Sequence, residues 1–142
     1  MVQQLSVFLQ NEPGRLAAIT RALADGGIDI RALSIADTTD FGILRLLLSD
    51  ANHAKSLLEK QHYAAGITEV VVVAVPDVPG GLAGVLSLLA KGGADIEYMY
   101  SLIGRGESKA YMVFRASDEK KLLDILAQNG IATVSEAELG VR

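Results

Sequence analysis

Asn11-Glu12-Pro13-Gly14-Arg15-Leu16-Ala17 returns 66 residues later (77 against 11) as Asp77-Val78-Pro79-Gly80-Gly81-Leu82-Ala83. The echo keeps register. Gly26-Gly27-Ile28-Asp29-Ile30 matches Gly92-Gly93-Ala94-Asp95-Ile96, and Ser56-Leu57-Leu58 matches Lys121-Leu122-Leu123 with the spacing slipped by one. A period this long is a small domain and not a solenoid repeat, so the chain reads as two copies of one fold. Each copy sets a Pro-Gly turn directly before a helix. Whatever that turn does, it does at two related places.

Outward from the turns, both copies give the same order of elements. Residues 5–9 are a short apolar run that suits a strand. Leu16, Ile19, Thr20 and Leu23 then fall at helical spacing, and Gly26-Gly27 stops the helix. Residues 28–35 and 41–49 read as two strands joined by the polar loop Asp37-Thr38-Thr39-Asp40. Asp50 or Asn52 can cap a second helix with Ala54, Leu57 and Leu58 inward. In the second copy, residues 69–75 form a strand and Leu82, Val85, Leu86 and Leu89 one helical stripe, stopped by Gly92-Gly93. Residues 96–103 pair with 109–115 across Gly104-Arg105-Gly106-Glu107-Ser108. Ser117 is placed to cap a last helix with Leu122, Ile125 and Leu126 inward, and 131–135 supplies a final strand.

The result is an α+β chain of two ferredoxin-like βαββαβ units side by side, with helices on one face of an antiparallel sheet. The units divide as residues 1–68 and 69–142. A fourth strand at 64–68 is expected to run almost directly into 69–75, giving a continuous sheet of eight strands. Ile43, Leu44, Leu46, Leu47 and Leu48 are apolar on both alternating faces. Helices cover only one face, so the other is expected to be buried by a second chain, as a homodimer packed through sheet faces.

Composition removes several classes of function. Seventeen acidic residues against 13 basic leave a net charge of −4, with no electrostatic footprint for nucleic acid and no polybasic membrane patch. Without cysteine there is no disulfide and no thiolate chemistry. The aliphatic run at 70–75 is too short to span a bilayer, and the start lacks a signal-peptide pattern. A soluble cytoplasmic protein is expected. His53 and His62 have no metal-ligand spacing, and no Ser-His-Asp set, carboxylate pair or phosphate loop is present. No metal, no cofactor and no catalysis are implied.

The turns carry the chemistry that remains. Proline fixes φ, glycine leaves room for a ligand, and free N–H groups at a helix N-terminus favour an anion such as a carboxylate. Gly14 and Gly80, with Asn11 and Asp77 at the mouth, suit the charged groups of a free amino acid. Pro-Gly is also ordinary punctuation before a helix, and the residues alone leave both readings open. Arg15 is placed to pair with a carboxylate or to stand in solvent. Tyr98 and Tyr100 are assigned to the face of Ile96 and Leu102, as packing aromatics.

The pattern Asp/Asn-x-Pro-Gly-x-Leu-Ala, a helix, Gly-Gly-x-Asp-Ile and the βαββαβ order resemble the ACT domain, a small-molecule-sensing regulatory module. The resemblance covers nearly the whole chain, as two consecutive units. Asp40-Phe41-Gly42-Ile43-Leu44-Arg45 and Ile96-Glu97-Tyr98-Met99-Tyr100-Ser101 further look like small freestanding bacterial ACT pairs. It implies an amino acid held between two units, by the first strand-to-helix loop of one and the second strand of its neighbour. That places Asn11, Glu12, Pro13, Gly14, Arg15 and Leu16, together with Asp77, Val78, Pro79, Gly80, Gly81 and Leu82, at the sites, with Ile30 and Ile96 from the strands. Asn11 departs from the family's usual aspartate, and its amide both donates and accepts. The implied function is a non-enzymatic amino-acid sensor. The alternative is a detached regulatory subunit controlling a biosynthetic enzyme such as an acetolactate synthase.

Overall fold

The computed structural model describes residues 1–10, 12–37, 40–102 and 108–141. Asn11, the middle of the expected loop at 37–40, the end of the expected strand at 96–103 and most of the loop at 104–108 therefore lie outside the described residues. The order is β1 (Val2–Gln10), α1 (Arg15–Asp25), β2 (Ile30–Asp37), β3 (Phe41–Leu48), α2 (Ala51–Lys60), β4 (Ala64–Pro76), α3 (Gly81–Lys91), β5 (Ile96–Ser101), β6 (Lys109–Ala116), α4 (Glu119–Gln128) and α5 (Glu136–Leu139). The chain folds as two compact units. One holds Val2–Glu69 with the segment from Glu136, the other Val70–Ser135. The strands at 64–68 and 69–75 are one strand, β4, whose first part belongs to the N-terminal unit and whose second part belongs to the C-terminal unit.

In the N-terminal unit the strand order is β2-β3-β1-β4 and in the C-terminal unit β4-β6-β5. Six strands are assigned among the described residues, not the expected eight. Fusion into β4 removes one. The expected strand at 131–135 reduces to a bridge between Val73 and Thr133, with Val134 N–H donating to Val72 C=O at 2.8 Å.

Each unit buries one face of its strands under two helices. Leu5, Val7, Leu9, Leu44, Leu46 and Leu48 meet Ile19 and Leu23 of α1 and Ala54 and Leu58 of α2. Val71, Val73, Val75, Phe114 and Ala116 meet Val85 and Leu89 of α3 and Leu122, Ile125 and Leu126 of α4. The helical stripes expected from sequence are thus the buried faces, with Leu16, 38% exposed, left outside the core.

Two local expectations are corrected. The cap of α4 is Asp118, whose Oδ1 accepts from Lys121 N–H at 3.1 Å, while Ser117 spends its N–H on Asp95 C=O. Two adjacent residues both had cap chemistry, and strand geometry decided between them. Tyr98 and Tyr100 do not share the face of Ile96. A bulge between Ile96 and Tyr98 inserts one residue, so Ile96 and Met99 join the helix-side core and the tyrosines turn away. The first copy has the same bulge, between Ile30 and Ala32.

Leu46 is on the helix side, and Leu47, Val70 and Val72, outside both cores, are 0%, 0% and 1% exposed in the single chain. On the same strand as Leu46 and Leu47, Phe41 is 56% exposed.

Candidate ligand site at the glycine turns

The four long helices begin in two different ways. At α2, Asp50 Oδ1 accepts from His53 N–H at 3.0 Å, and Asp118 does the same for α4. These caps satisfy amides that the helix cannot. At α1 and α3 the capping position is Gly14 (φ 82) and Gly80 (φ 85), left-handed in both, with no side-chain cap. An added Cβ would meet no protein atom within 4 Å at either glycine, so conformation and not crowding makes glycine fit there.

The first intrahelical bonds are Ala18 N–H to Gly14 C=O and Gly84 N–H to Gly80 C=O, both 2.9 Å. Arg15 N–H reaches Glu12 C=O at 3.4 Å and Gly81 N–H reaches Val78 C=O at 3.0 Å. Between them, the amides of Leu16 and Ala17, and of Leu82 and Ala83, have no protein partner among the described residues. Both turns are exposed to solvent. The geometry can take an anion at two equivalent places.

Glu12, Pro13, Gly14, Arg15 and Leu16 come together at the first turn, and Asp77, Val78, Pro79, Gly80, Gly81 and Leu82 at the second. Ile30 and Ile96 are not brought to the turn of their own unit. Ile30 pairs with Leu48 at one end of β3, whereas Gln10, just before the turn, pairs with Phe41 at the other. Seven strand steps separate those ends by about 23 Å. Ile96 and Pro76 stand likewise at opposite ends of β6, opposite Ala116 and Lys109. Both isoleucines pack against their helix-side cores beside the bulges.

Arg15 is neither solvated alone nor free. Its Nη2 and Nε donate to Glu12 Oε2 at 2.7 and 3.2 Å. Hydrogen bonding to the Tyr63 hydroxyl, then to Glu12, holds the guanidinium above its ordinary pKa. Beside it opens a groove of about 480 Å³ lined by Phe8, Leu9, Gln10, Arg15, Phe41, Gln61, His62, Tyr63 and Ala64. Apart from Arg15, none of these residues was expected at the site. The available signal was Phe8, an aromatic at a strand position whose neighbours Val7 and Leu9 both point into the core. Among the described residues no group of three or more metal-ligating side chains occurs, and no helix is long and apolar enough to cross a membrane.

A family model for the ACT domain pair matches residues 1–141. Protein BT0572 from Bacteroides thetaiotaomicron is 40% identical, with TM-score 0.90, over 98% of this chain and 95% of that one. The regulatory subunit of aspartate kinase from Thermus thermophilus, in its ligand-free form, is 18% identical with TM-score 0.62, over 89% of this chain and 91% of that one. The corresponding subunit from Thermus flavus is 20% identical with TM-score 0.61, over 89% and 90%. At those identities the two Thermus likenesses are of fold. No curated protein matches the chain.

Proposed function

The chain belongs to the ACT domain pair family, and on that footing we propose that it is a non-enzymatic regulatory module that binds a free amino acid. The observation that carries this is the split between the helix starts. The two helices that follow Pro-Gly turns leave amides unpartnered among the described residues, while the other two are closed by aspartates. Two exposed amides at a helix N-terminus suit a carboxylate, and the absence of a side chain at the capping glycine lets the ligand approach the backbone. The neighbouring-unit strands at Ile30 and Ile96 are the proposed second wall. Regulation follows if the amino acid favours one arrangement of the protein over another. A cytoplasmic location is part of this proposal and suits a sensor of free metabolites.

A thermal-shift series over the twenty amino acids tests it. A ligand present at a hundred times its Kd adds about 2.7 kcal/mol to stability. At least one amino acid is expected to raise the melting temperature, with the rise reduced by Gly14→Asn or Gly80→Asn, since asparagine tolerates the left-handed backbone but fills the approach. No shift with any amino acid would sink the proposal. It would favour instead a detached subunit that responds only to a biosynthetic enzyme; the two Thermus proteins are regulatory subunits of aspartate kinase.

A further inference from the structure

The residues that line the groove beside Arg15 are not repeated in the second copy. Register and turn geometry align Phe8, Phe41 and Arg15 with Ala74, Lys109 and Gly81. His62 and Tyr63 follow the end of α2 as Gly130 and Ile131 follow α4, and Tyr63 and Ile131 make the same bond, to Leu58 C=O and Leu126 C=O. The C-terminal unit forms the same fold without an aromatic pair or a guanidinium at these places. The fold therefore does not require them.

What they build is a recess with two unlike walls. Phe8 and Phe41 are 51% and 56% exposed. They stand on neighbouring strands, Phe8 opposite Ile43 and Phe41 opposite Gln10. That diagonal places them roughly 7–8 Å apart, within reach of aromatic side chains. Arg15, paired with Glu12, lines the same groove, and so does Tyr63, which packs against the core of the unit. The volume, about 480 Å³, lies in the range of small-molecule sites, which combine apolar lining with a few fixed polar groups.

We propose that this groove binds a small carboxylic acid carrying a planar ring, with the ring against Phe8 and Phe41 and the carboxylate on Arg15. Its walls are the end of β1, the start of β3 and the turn between α2 and β4, all of the N-terminal unit. It uses no second-strand residue, so it is separate from the wall at Ile30 and Ile96. The proposal deepens the amino-acid reading by naming a ligand class. Glu12 now stands where the ligand carboxylate goes, taking two guanidinium N–H groups on one oxygen. The pair is exposed, 42% and 54%, and such pairs are weak enough to exchange. Glu12 is an internal competitor.

Calorimetric titration of the full chain with phenylacetate and phenylalanine, against acetate and leucine, tests this. At least one ring-bearing acid is expected to bind, and acetate to give no heat. Arg15→Met is expected to weaken binding about tenfold or more, through the lost charged hydrogen bonds. Phe41→Ala is expected to weaken it severalfold and, being at an exposed site, to leave the melting temperature nearly unchanged. Glu12→Gln is expected to tighten binding. Lys109→Ala, at the aligned place in the other unit, is expected to change nothing. Failure of both ring-bearing acids to bind, or binding untouched by Arg15→Met and Phe41→Ala, overturns the assignment. So does weaker binding in Glu12→Gln. An amino acid that loses affinity in Gly14→Asn or Gly80→Asn but not in Phe41→Ala would leave the regulatory function standing and refute the groove. Phenylacetate binding without any amino-acid thermal shift would do the reverse.

Discussion

At Gly14 and Gly80 the two copies hold the same left-handed backbone, yet the next residue could hardly differ more. Arg15 reaches outward to Glu12 and Tyr63. Gly81 has no side chain, and a Cβ there would run into the carbonyl of Pro76. The copies thus share the device that leaves helix amides exposed and differ in what surrounds it: rings and a guanidinium in one, Ala74, Lys109 and Ile131 in the other. Duplication kept the backbone that both units need and let the side chains around the turn diverge. Two sites of equal geometry and unequal selectivity are the expected product.

The sharpest way to break this comparison is to graft one copy onto the other. Gly81→Arg is expected to destabilise the protein by about 3 kcal/mol, because the obstructing atom is backbone and cannot swing aside. The reciprocal Arg15→Gly removes an exposed ion pair and costs about 1 kcal/mol. Denaturant melts of the two variants decide it, and equal effects would show that the two turns are interchangeable after all.

Gly14→Ala and Gly80→Ala come next. Each forces an L-residue to positive φ without a clash, so each is expected to lose about 1 to 2 kcal/mol. The two losses should agree in thermal melts, whereas their effects on ligand affinity should differ, since Arg15 supports only the first site. Equal affinity losses would mean that the surroundings do not matter.

The smallest effect is expected at His62, which holds φ 69 where the other copy has Gly130 at φ 65. His62→Gly relieves that strain but frees the unfolded chain, for a net gain of about 0.5 kcal/mol. Gly130→His should be destabilising. A His62→Gly variant less stable than the parent would show that the imidazole makes a contribution of its own.

The repeat made the framework legible. Period, helical stripes and Gly-Gly stops located both units, the four long helices and the two turns, because each is written in local spacing. Features that depend on a single residue's shift were not legible. The bulges beside Ile30 and Ile96 reverse the alternation without leaving a turn signal, so Tyr98 and Tyr100 were assigned to the wrong face. Asp118 displaced Ser117 as cap because the two are adjacent and chemically alike. Thr133 forms only a bridge, and α5 is one turn long, too short for periodicity to register. The groove was hidden for a different reason. It joins residues 8, 15, 41 and 63, and only strand register and the return of β4 bring them to one end of the sheet.

The segment from Glu136 belongs with the N-terminal unit, where Leu139 and Val141 are buried. On a ribosome this inverts the usual order of completion. The first unit to leave the exit tunnel waits for residues made after Ser135, while the unit made second can finish before it. A nascent chain arrested just past Ser135 would carry a C-terminal unit with all its residues and an N-terminal unit still lacking its final piece.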